Sequence, residues 1–365
     1  MNSKPLLTEL KKLIAIPSTA DNPAALREAV ALVAAQLAER PGIAVEHFEQ
    51  NGKPSLLAYA GKTRPKQFTV LLNGHVDVVP GKLEQFTPVE KDGQLYGRGA
   101  LDMKAAALVL TRVFSELAPT LSYPLGLQIV SDEEVGGHDG TRYQIEQGVR
   151  AAFVIAGEFT KPGQICTASR GICQLRVRFK GITAHSAYPW NGDNAAVRAA
   201  SFVQELLGQY PIPSEEIWQT TVNISSITAP NPTFNAVPAA AELTLDCRYV
   251  PEDKHFKSRE AVQKFLKSLD PSCTAEFVMF EPAHYADEHN SYVKHLAAAL
   301  QKTTGQKTAF IKKPGGSDVR FYSDLGEPAV VFGLQGKDIH GDGEYLELSS
   351  LETYQETLKT FLRSL

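Results

Sequence analysis

The chain has 365 residues, and single hydrophobic cores stop growing near ~250 to 300 residues, so its length predicts two domains. Hydrophobic residues make up 43% and charged residues 21%, which is the balance of an ordinary globular protein. The 37 basic and 41 acidic side chains leave a net charge of -4. Because there is no basic surplus, we expect neither nucleic acid nor a membrane as a partner.

The N-terminal segment and the cysteines predict a cytoplasmic protein. Apolar residues near the N-terminus recur at helical spacing between lysines, without the continuous apolar region of a secretory signal. No segment approaches the ~20 apolar residues of a membrane span. The cysteines form no CxxC pair and are too sparse for a disulfide framework, so we expect buried free thiols at Cys166, Cys173, Cys247 and Cys273.

Helical and strand patterns alternate along the first part of the chain. They predict helices over 4–15, 23–39 and DMKAAALVLTRVFSEL, and strands over 54–60, 67–73, LGLQIV and AAFVIA. This alternation predicts an α/β layer with a mostly parallel sheet. The last two strands run into acidic residues at their C-terminal ends, which is where open α/β sheets bind ligands.

From about residue 170 the pattern becomes that of a separate module. The run CQLRVRFKG alternates apolar and polar residues, as a half-solvated antiparallel strand does. A helix, two strands, a second helix and a last strand follow, and the order β-α-β-β-α-β is that of a ferredoxin-like sandwich. After residue 281 the chain again shows a helix and short buried strands, as in its first part. We therefore expect 170–279 to be inserted into a domain built from 1–169 and 280–365.

A possible metal ligand stands in LLNGHVDVVPG, where a strand pattern reaches His75 and Asp77 with one residue between them. Strand period two places both side chains on one face, so Asp77 can accept the second imidazole N–H and fix His75 as a neutral ligand. A polar strand end without any metal explains this pair equally well.

Further carboxylates and a second imidazole occur at the ends of predicted elements. Asp102 precedes a helix in LYGRGALDMKAA, where Gly97 and Gly99 allow a tight backbone approach. Glu133 and Glu134 end an apolar strand, and two unpaired carboxylates side by side are costly to bury unless a cation compensates them. The other candidates are the acid that ends AAFVIAGE and the imidazole past the last apolar strand, Glu158 and His340.

Six motifs together resemble those of one metallopeptidase family, which includes aminoacylase, acetylornithine deacetylase, succinyl-diaminopimelate desuccinylase and glutamate carboxypeptidase. In chain order they are NGHVDVVPG, YGRGALDMKAA, SDEEVGG, AGEFT, GITAHSAYPW and IHGDGEYLE, and the match spans nearly the whole chain. The resemblance implies a mostly parallel-sheet α/β catalytic domain of the zinc-peptidase type, with an inserted ferredoxin-like α+β domain for dimerisation or as a lid. It implies a zinc-dependent hydrolase that cuts an amide bond in a small N-acyl amino acid or short peptide.

The resemblance also implies a set of site residues. His75, Glu158 and His340 would be terminal ligands, Asp102 would bridge two zinc ions, and Glu134 would be the remaining ligand. The first zinc would take the His75 and Glu158 side, and the second would take Glu134 and His340. Glu133 would be the general base on the zinc-activated water, and cobalt or manganese are expected substitutes. The peptide from Asp102 to Met103 is expected to be cis.

His185 in GITAHSAYPW lies within the predicted insertion, where a lone histidine at a strand end is usually structural. The resemblance implies instead that it enters the active site of the other subunit and stabilises the tetrahedral oxyanion. It thereby implies a homodimer built through the insertion, in which neither protomer completes a catalytic site alone.

Three further residues of the insertion match positions that hold the substrate carboxylate in the family: Arg170, Asn235 and Arg248. Taken singly, an arginine on an antiparallel strand usually lies on a solvated face. One position departs from the family pattern. Relatives often have a hydroxyl residue before the Ser-Asp of their substrate loop, whereas GGSDVRF has Gly316 there and offers no hydroxyl to the acyl group or side chain.

Other functional classes fit the sequence less well. A phosphate loop at GHVDVVPGK fails because six residues separate Gly74 from Gly81 where four are needed, and Leu83 replaces the Ser or Thr. No GxSxG elbow of a serine hydrolase occurs. A catalytically inactive peptide-binding homologue would not need every ligand-type residue. Within the enzyme class, Glu158 favours the deacetylase and desuccinylase branch, and a dipeptidase or carboxypeptidase is the alternative.

Overall fold

The computed structural model describes residues 4–38, 40–231 and 233–365, which divide into two compact units. The first unit contains the described chain up to Thr167 together with Tyr285–Ile311 and Ser317–Leu365. The second unit contains Ala168–His284 and Lys312–Gly316. The second unit therefore interrupts the first in sequence. It also takes in a short segment that the sequence analysis assigned to the first domain.

Nine α-helices occur among the described residues. In chain order they are α1 Lys4–Ile14, α2 Pro23–Ala38, α3 Lys104–Leu117, α4 Tyr143–Glu146, α5 Ala195–Gln209, α6 Arg259–Leu269, α7 Ser291–Thr304, α8 Val319–Asp324 and α9 Ser349–Leu362. The three helices predicted in the first part of the chain are α1, α2 and α3, with Glu39 outside the described residues. Helix α9 was not predicted, although its buried Leu351, Tyr354, Leu358 and Phe361 recur at helical spacing.

Seventeen β-strands form three sheets within the same residues. In chain order they are β1 Ile43–Gln50, β2 Lys53–Ala60, β3 Val70–His75, β4 Val89–Lys91, β5 Gln94–Tyr96, β6 Leu125–Val130, β7 Val154–Ala156, β8 Gln164–Ser169, β9 Gly171–Lys180, β10 Thr221–Thr228, β11 Ala240–Tyr249, β12 Thr274–Glu281, β13 His284–Tyr285, β14 Ala309–Lys313, β15 Ala329–Val331, β16 Gly336–Lys337 and β17 Tyr345–Glu347.

The largest sheet has nine strands in the order β1-β2-β6-β3-β7-β15-β8-β13, with β14 paired to β8. Its four central strands, β6, β3, β7 and β15, are parallel neighbours, and antiparallel pairs flank them. Every residue of these four strands is buried. Such burial explains their continuous apolar runs, because a parallel sheet is covered on both faces. The predicted α/β class with a mostly parallel central sheet is confirmed.

The second unit is built on a four-stranded antiparallel sheet with the order β10-β11-β9-β12. Helix α5 follows β9 and helix α6 follows β11, which gives the predicted order β-α-β-β-α-β. Burial alternates residue by residue along β9 and β11, so one face of the sheet is covered and the other is not. Phe179, Phe202 and Phe265 belong to the core on the covered face. The unit is therefore a ferredoxin-like sandwich.

The third sheet joins two distant parts of the first unit in the order β16-β17-β5-β4. Its central pair places Tyr345 opposite Tyr96 and Leu346 opposite Leu95. This pairing brings the segment after His340 beside the segment before Asp102. Strands of two or three residues are too short to show the alternation of apolar and polar residues by which a strand is recognised in a sequence.

The four cysteines are free and buried, as predicted. Cys173, Cys247 and Cys273 belong to the core of the second unit, and Cys166 belongs to a core cluster of the first. Among the described residues, no helix combines the length and the apolar character needed to cross a membrane.

Phe202→Ala should destabilise the second unit strongly. Phe202 is 1% exposed, and its ring packs edge-on against Phe179 with the centroids 5.2 Å apart. Truncation of a buried Phe costs about 3–5 kcal/mol in the free energy of unfolding. Both tryptophans of the chain, Trp190 and Trp218, lie in this unit, so their fluorescence during urea denaturation measures its unfolding.

Val197→Ala is the matched control, because it shortens a 59% exposed side chain on the same helix. We expect it to change the free energy of unfolding by no more than about 0.5 kcal/mol. Equal effects of the two substitutions would contradict the assignment of this core.

Candidate metal centre

Parallel strands bring three predicted site segments to one edge of the central sheet. His75 is the last residue of β3, and Glu158 follows β7 by two residues. Glu133 and Glu134 lie in a 3-10 turn that begins three residues after β6. Because β6, β3 and β7 are adjacent and parallel, their carboxyl ends meet at the same edge.

One cluster of metal-ligand atoms contains His75, Asp102 and Glu158. The Nε2 atom of His75 lies 3.1 Å from Oδ1 of Asp102 and 3.4 Å from Oε1 of Glu158. The imidazole is buried, and both carboxylates are largely buried. All ligand atoms of this cluster lie within 4.8 Å of one another, which is the spacing that one metal ion can span.

A second cluster contains Asp102, Glu134 and His340. The Nε2 atom of His340 lies 3.2 Å from Oδ2 of Asp102 and 3.1 Å from Oε2 of Glu134. Asp102 therefore belongs to both clusters and faces each with a different oxygen. This arrangement suits a carboxylate that bridges two ions. The structure thus brings together all five residues that the family resemblance implied as ligands.

The pKa values of the two imidazoles reflect the negative charge around them. Burial alone would lower the pKa of His75, but contacts with the carboxylates, Asp102 foremost, raise it well above its usual range. The side chains of Asp102 and Glu134 raise the pKa of His340 to about 10. The surrounding carboxylates therefore favour the positively charged form of both imidazoles.

Glu133 is a further carboxyl group beside these ligand residues. Burial raises the pKa of Glu133 well above its usual range, and the charge of Glu158 raises it further. Several carboxylates packed this closely are stable only if protons or cations neutralise them. Carboxylate oxygens and imidazole nitrogens are ligands of Zn²⁺. The residues present therefore fit the two zinc ions that the resemblance implied.

Asp77 lies beside His75, but not on the strand face that the two-residue spacing predicted. Strand β3 ends at His75, so Asp77 belongs to the segment that follows. The Nδ1 atom of His75 lies 3.1 Å from the backbone carbonyl oxygen of Asp77 and 3.4 Å from its carboxylate Oδ1. Oδ2 of Asp77 accepts the N–H of Glu134 at 3.0 Å. Asp77 therefore faces the imidazole and also fixes the acidic turn.

Two glycines shape the backbone before Asp102, as the sequence predicted. Gly97 and Gly99 have φ values of 155° and 81°, in the region that favours glycine. A Cβ atom on Gly99 would lie only 2.7 Å from a side-chain carbon of Val78. The expected cis peptide between Asp102 and Met103 is present.

Arg98 and Glu344, which were not predicted from the sequence, form a buried ion pair beside the ligands. Arg98 Nη1 lies 2.6 Å from Glu344 Oε2, and the two side chains are 3% and 1% exposed. Both residues stand inside motifs that supplied ligands, YGRGALD and IHGDGEY. Their presence as charged residues within ligand motifs is the sequence feature that could have marked them as candidates for the site.

The remaining predicted residues lie in the second unit, at two ends of its sheet. The isolated bridge between His185 and Ala236 places His185 and Asn235 near Ala240, at the start of β11. Arg248 lies at the other end of β11, where it pairs with Ile172 of β9, and Arg170 directly precedes β9. At ~3.4 Å per residue, the eight residues from Ala240 to Arg248 span about 27 Å.

His185, Arg248 and Arg170 each form hydrogen bonds with groups of the second unit. The Nδ1 atom of His185 accepts the N–H of Ala187 at 3.1 Å, so the neutral ring carries its proton on Nε2. Asp246 accepts two hydrogen bonds from Arg248, at 2.7 Å from Nε and 3.1 Å from Nη2. Arg170 donates to the carbonyl of Ile217.

The chain is similar in sequence to proteins of one peptidase family. The model of peptidase family M20/M25/M40 matches residues 71–364. The chain is 29% identical to succinyl-diaminopimelate desuccinylase of Bordetella pertussis over 385 aligned positions, which cover 99% of each chain. It is 31% identical to the protein of the same name from Polynucleobacter necessarius over 328 positions, covering 83% of this chain and 84% of the relative.

A solved structure shares the fold. An aminopeptidase from Bacillus cereus superposes with a TM-score of 0.75 at 20% identity, covering 99% of this chain and 98% of that one. The family match over residues 71–364, together with 31% identity over 83% of the chain, identifies the protein as a member of peptidase family M20/M25/M40 and a metal-dependent hydrolase of amide bonds.

Proposed function

We propose that the protein uses two zinc ions to hydrolyse the amide bond of small N-acyl amino acids, in a reaction of the deacetylase or desuccinylase type. The observation that supports this most is that Asp102 faces two ligand clusters with separate oxygens. In the proposal, His75, Glu158 and Asp102 hold one ion, while Asp102, Glu134 and His340 hold the other. Cobalt or manganese would suit the same donors.

When bound, zinc lowers the pKa of water and polarises a carbonyl oxygen, which is the chemistry that amide hydrolysis needs. Glu133 is the proposed general base. It adjoins the proposed ligand Glu134 but supplies no atom to either ligand cluster, so its carboxylate can accept the proton of the attacking water. It can then pass that proton to the departing nitrogen. Asp77 keeps the His75 ring in place through the contacts at Nδ1.

Two observations support an N-acyl amino acid as the substrate. The relatives reported above are named desuccinylases, and Glu158 is the residue type that favours this branch over dipeptidases. A dipeptidase or carboxypeptidase activity is the alternative within the family, and the aminopeptidase structure shares only the fold.

We propose that the substrate's α-carboxylate is bound by groups of the second unit. Arg248 and Arg170 lie at one end of its sheet, and an arginine fork binds a carboxylate through two charge-assisted hydrogen bonds. In the structure Asp246 already accepts from the Arg248 guanidinium. A substrate carboxylate would therefore replace Asp246 as the partner of Arg248, or share the guanidinium with it.

We further propose a homodimer in which the second unit of one protomer contributes to the active site of the other. His185 and Asn235 lie near the start of β11 and Arg248 lies near its end, and the strand from Ala240 to Arg248 spans about 27 Å at ~3.4 Å per residue. Groups this far apart on one chain cannot contact the same small substrate. They can do so if His185 and Asn235 come from one subunit and the arginines come from the other. The Nε2–H of His185 would donate to the tetrahedral oxyanion.

We also propose a cytoplasmic location. The four cysteines are free and buried, and free thiols are typical of proteins in a reducing compartment.

A substrate screen tests the proposed activity. The zinc-loaded protein should hydrolyse N-succinyl or N-acetyl amino acids faster than simple dipeptides, and each free acid faster than its C-terminal amide. Release of the free amine is the measurement, and chelator-treated protein is the control. Dipeptides as the fastest substrates would favour the alternative activity, and no hydrolysis of any linear amide would contradict the proposal.

Substitutions of the adjacent residues Glu133 and Glu134 should distinguish the general base from the metal ligand. Glu133→Gln should keep both zinc ions while turnover falls about 10²- to 10⁴-fold, the usual contribution of a positioned base. Glu134→Gln should weaken zinc binding itself, because it removes a ligand charge. Zinc content by elemental analysis and turnover would be measured on the same preparations. The reverse pattern would exchange the two assignments.

Subunit mixing tests the shared site. His185→Ala should retain zinc but lose roughly 10²- to 10³-fold in turnover, the usual cost of one oxyanion donor. Mixed dimers of His185→Ala and Glu133→Gln chains contain one site with both groups intact, so mixing should restore part of the activity. No recovery despite verified subunit exchange would show that each site is built from one chain.

A further inference from the structure

Backbone pairing brings two motifs of the first unit side by side. Strands β5 and β17 are antiparallel, with Tyr96 opposite Tyr345. The pairing continues one step further, because the N–H of Gly97 donates to the carbonyl of Glu344 at 3.1 Å. Arg98 is the next residue, and its side chain pairs with that of Glu344 at 2.6 Å. The ion pair thus stands at the junction of the two motifs.

Both members of this ion pair also hold the backbone of proposed metal ligands. Oε1 of Glu344 accepts the N–H of Leu101 at 3.0 Å and the N–H of Asp102 at 3.2 Å. Nη2 of Arg98 donates to the backbone carbonyl of His340 at 3.0 Å. One buried ion pair therefore contacts the main chain of two of the three residues in the second ligand cluster.

His340 lies in a loop whose other backbone hydrogen bonds hold its neighbours, since the N–H groups of Gly341 and Gly343 both bond to Asp338. The side chain of His340 is 48% exposed, and its φ of 63° lies in the region that non-glycine residues rarely adopt. Elsewhere in its loop, Gln85 donates to the carbonyl of Gly341, and Lys82 forms an exposed ion pair with Asp342. Exposed ion pairs restrain a loop only weakly. The buried contact from Arg98 reaches the His340 backbone directly.

We propose that Arg98 and Glu344 are positioning residues that fix Asp102 and His340 at the spacing of the second metal ion before that ion binds. This inference rests on the proposed function, since it takes the second cluster to be a zinc site. A buried ion pair is weak evidence for stability, because desolvation offsets its attraction. Contacts that orient metal ligands are typically worth about 10- to 100-fold in metal affinity.

Arg98→Lys tests the inference with little change in charge. The ammonium of lysine can remain opposite Glu344, but a single point charge does not reproduce the two-armed contact with Glu344 and the His340 carbonyl. Zn²⁺ titration of metal-free protein against a competing chelator should show the weaker ion bound about 10- to 100-fold less tightly. Hydrogen exchange of the 338–343 amides in the metal-free protein should become faster. Glu344→Gln should weaken zinc binding in the same way.

Two controls separate positioning from general destabilisation. Lys359→Met removes another buried cation of the same unit, one that pairs with Glu116, and should leave zinc affinity unchanged. In a His340→Ala background, Arg98→Lys should leave the affinity of the remaining ion within about two-fold, because lysine still pairs with Glu344, which holds Asp102, and only the contact with the backbone at position 340 is lost. Thermal unfolding of each metal-free variant measures the destabilisation independently.

The outcomes distinguish this inference from the proposed function. Failure of the parent protein to bind two zinc ions would overturn the dinuclear centre, and this inference with it. If the parent binds two ions and Arg98→Lys binds both equally well, only the positioning role is wrong. An affinity loss in Lys359→Met as large as that in Arg98→Lys would also contradict it.

Discussion

Repulsion among carboxylates that meet at one edge of the central sheet determines how the whole site is built. Asp102, Glu134 and Glu158 place their oxygens in two clusters. Within each cluster, the ligand atoms lie within 4.8 Å of one another. Such groups would separate in water, but the central sheet and its turns hold them together. Protons or cations must compensate this charge. Contacts with Asp102 and Glu134 raise the pKa of His340, while burial, reinforced by the charge of Glu158, raises the pKa of Glu133.

The two ligand clusters are supported in different ways. In the first cluster, His75 and Glu158 follow directly from buried strands, so the hydrogen-bond register of β3 and β7 fixes their backbones. In the second cluster, His340 lies on an exposed loop that short hairpin strands and one buried ion pair connect to Asp102. The second site therefore depends on longer-range contacts than the first. We expect it to be the more sensitive of the two to substitutions outside the ligands.

Much of this arrangement could be predicted from the sequence, because apolar runs ending in acids indicate buried parallel strands with a polar edge. The β-α-β-β-α-β order of the second unit was equally readable from its alternating strands. Asp77 faces the His75 imidazole as predicted, but from the segment after the strand, because β3 ends at His75 and period two applies only while a strand continues. Arg98 and Glu344 could not be paired in advance, since they meet only through β5 and β17, three residues each and far apart in sequence.

We propose that this edge of the sheet holds two metal ions that share Asp102. Anomalous X-ray scattering above and below the zinc absorption edge, measured on crystals of zinc-loaded protein, tests the claim most directly. We expect two peaks, one on either side of the Asp102 carboxylate, at the separation of about 3.5–4 Å that is typical of paired ions. One peak should adjoin His75 and Glu158, and the other should adjoin Glu134 and His340. A single peak at full occupancy, or peaks away from these residues, would contradict it.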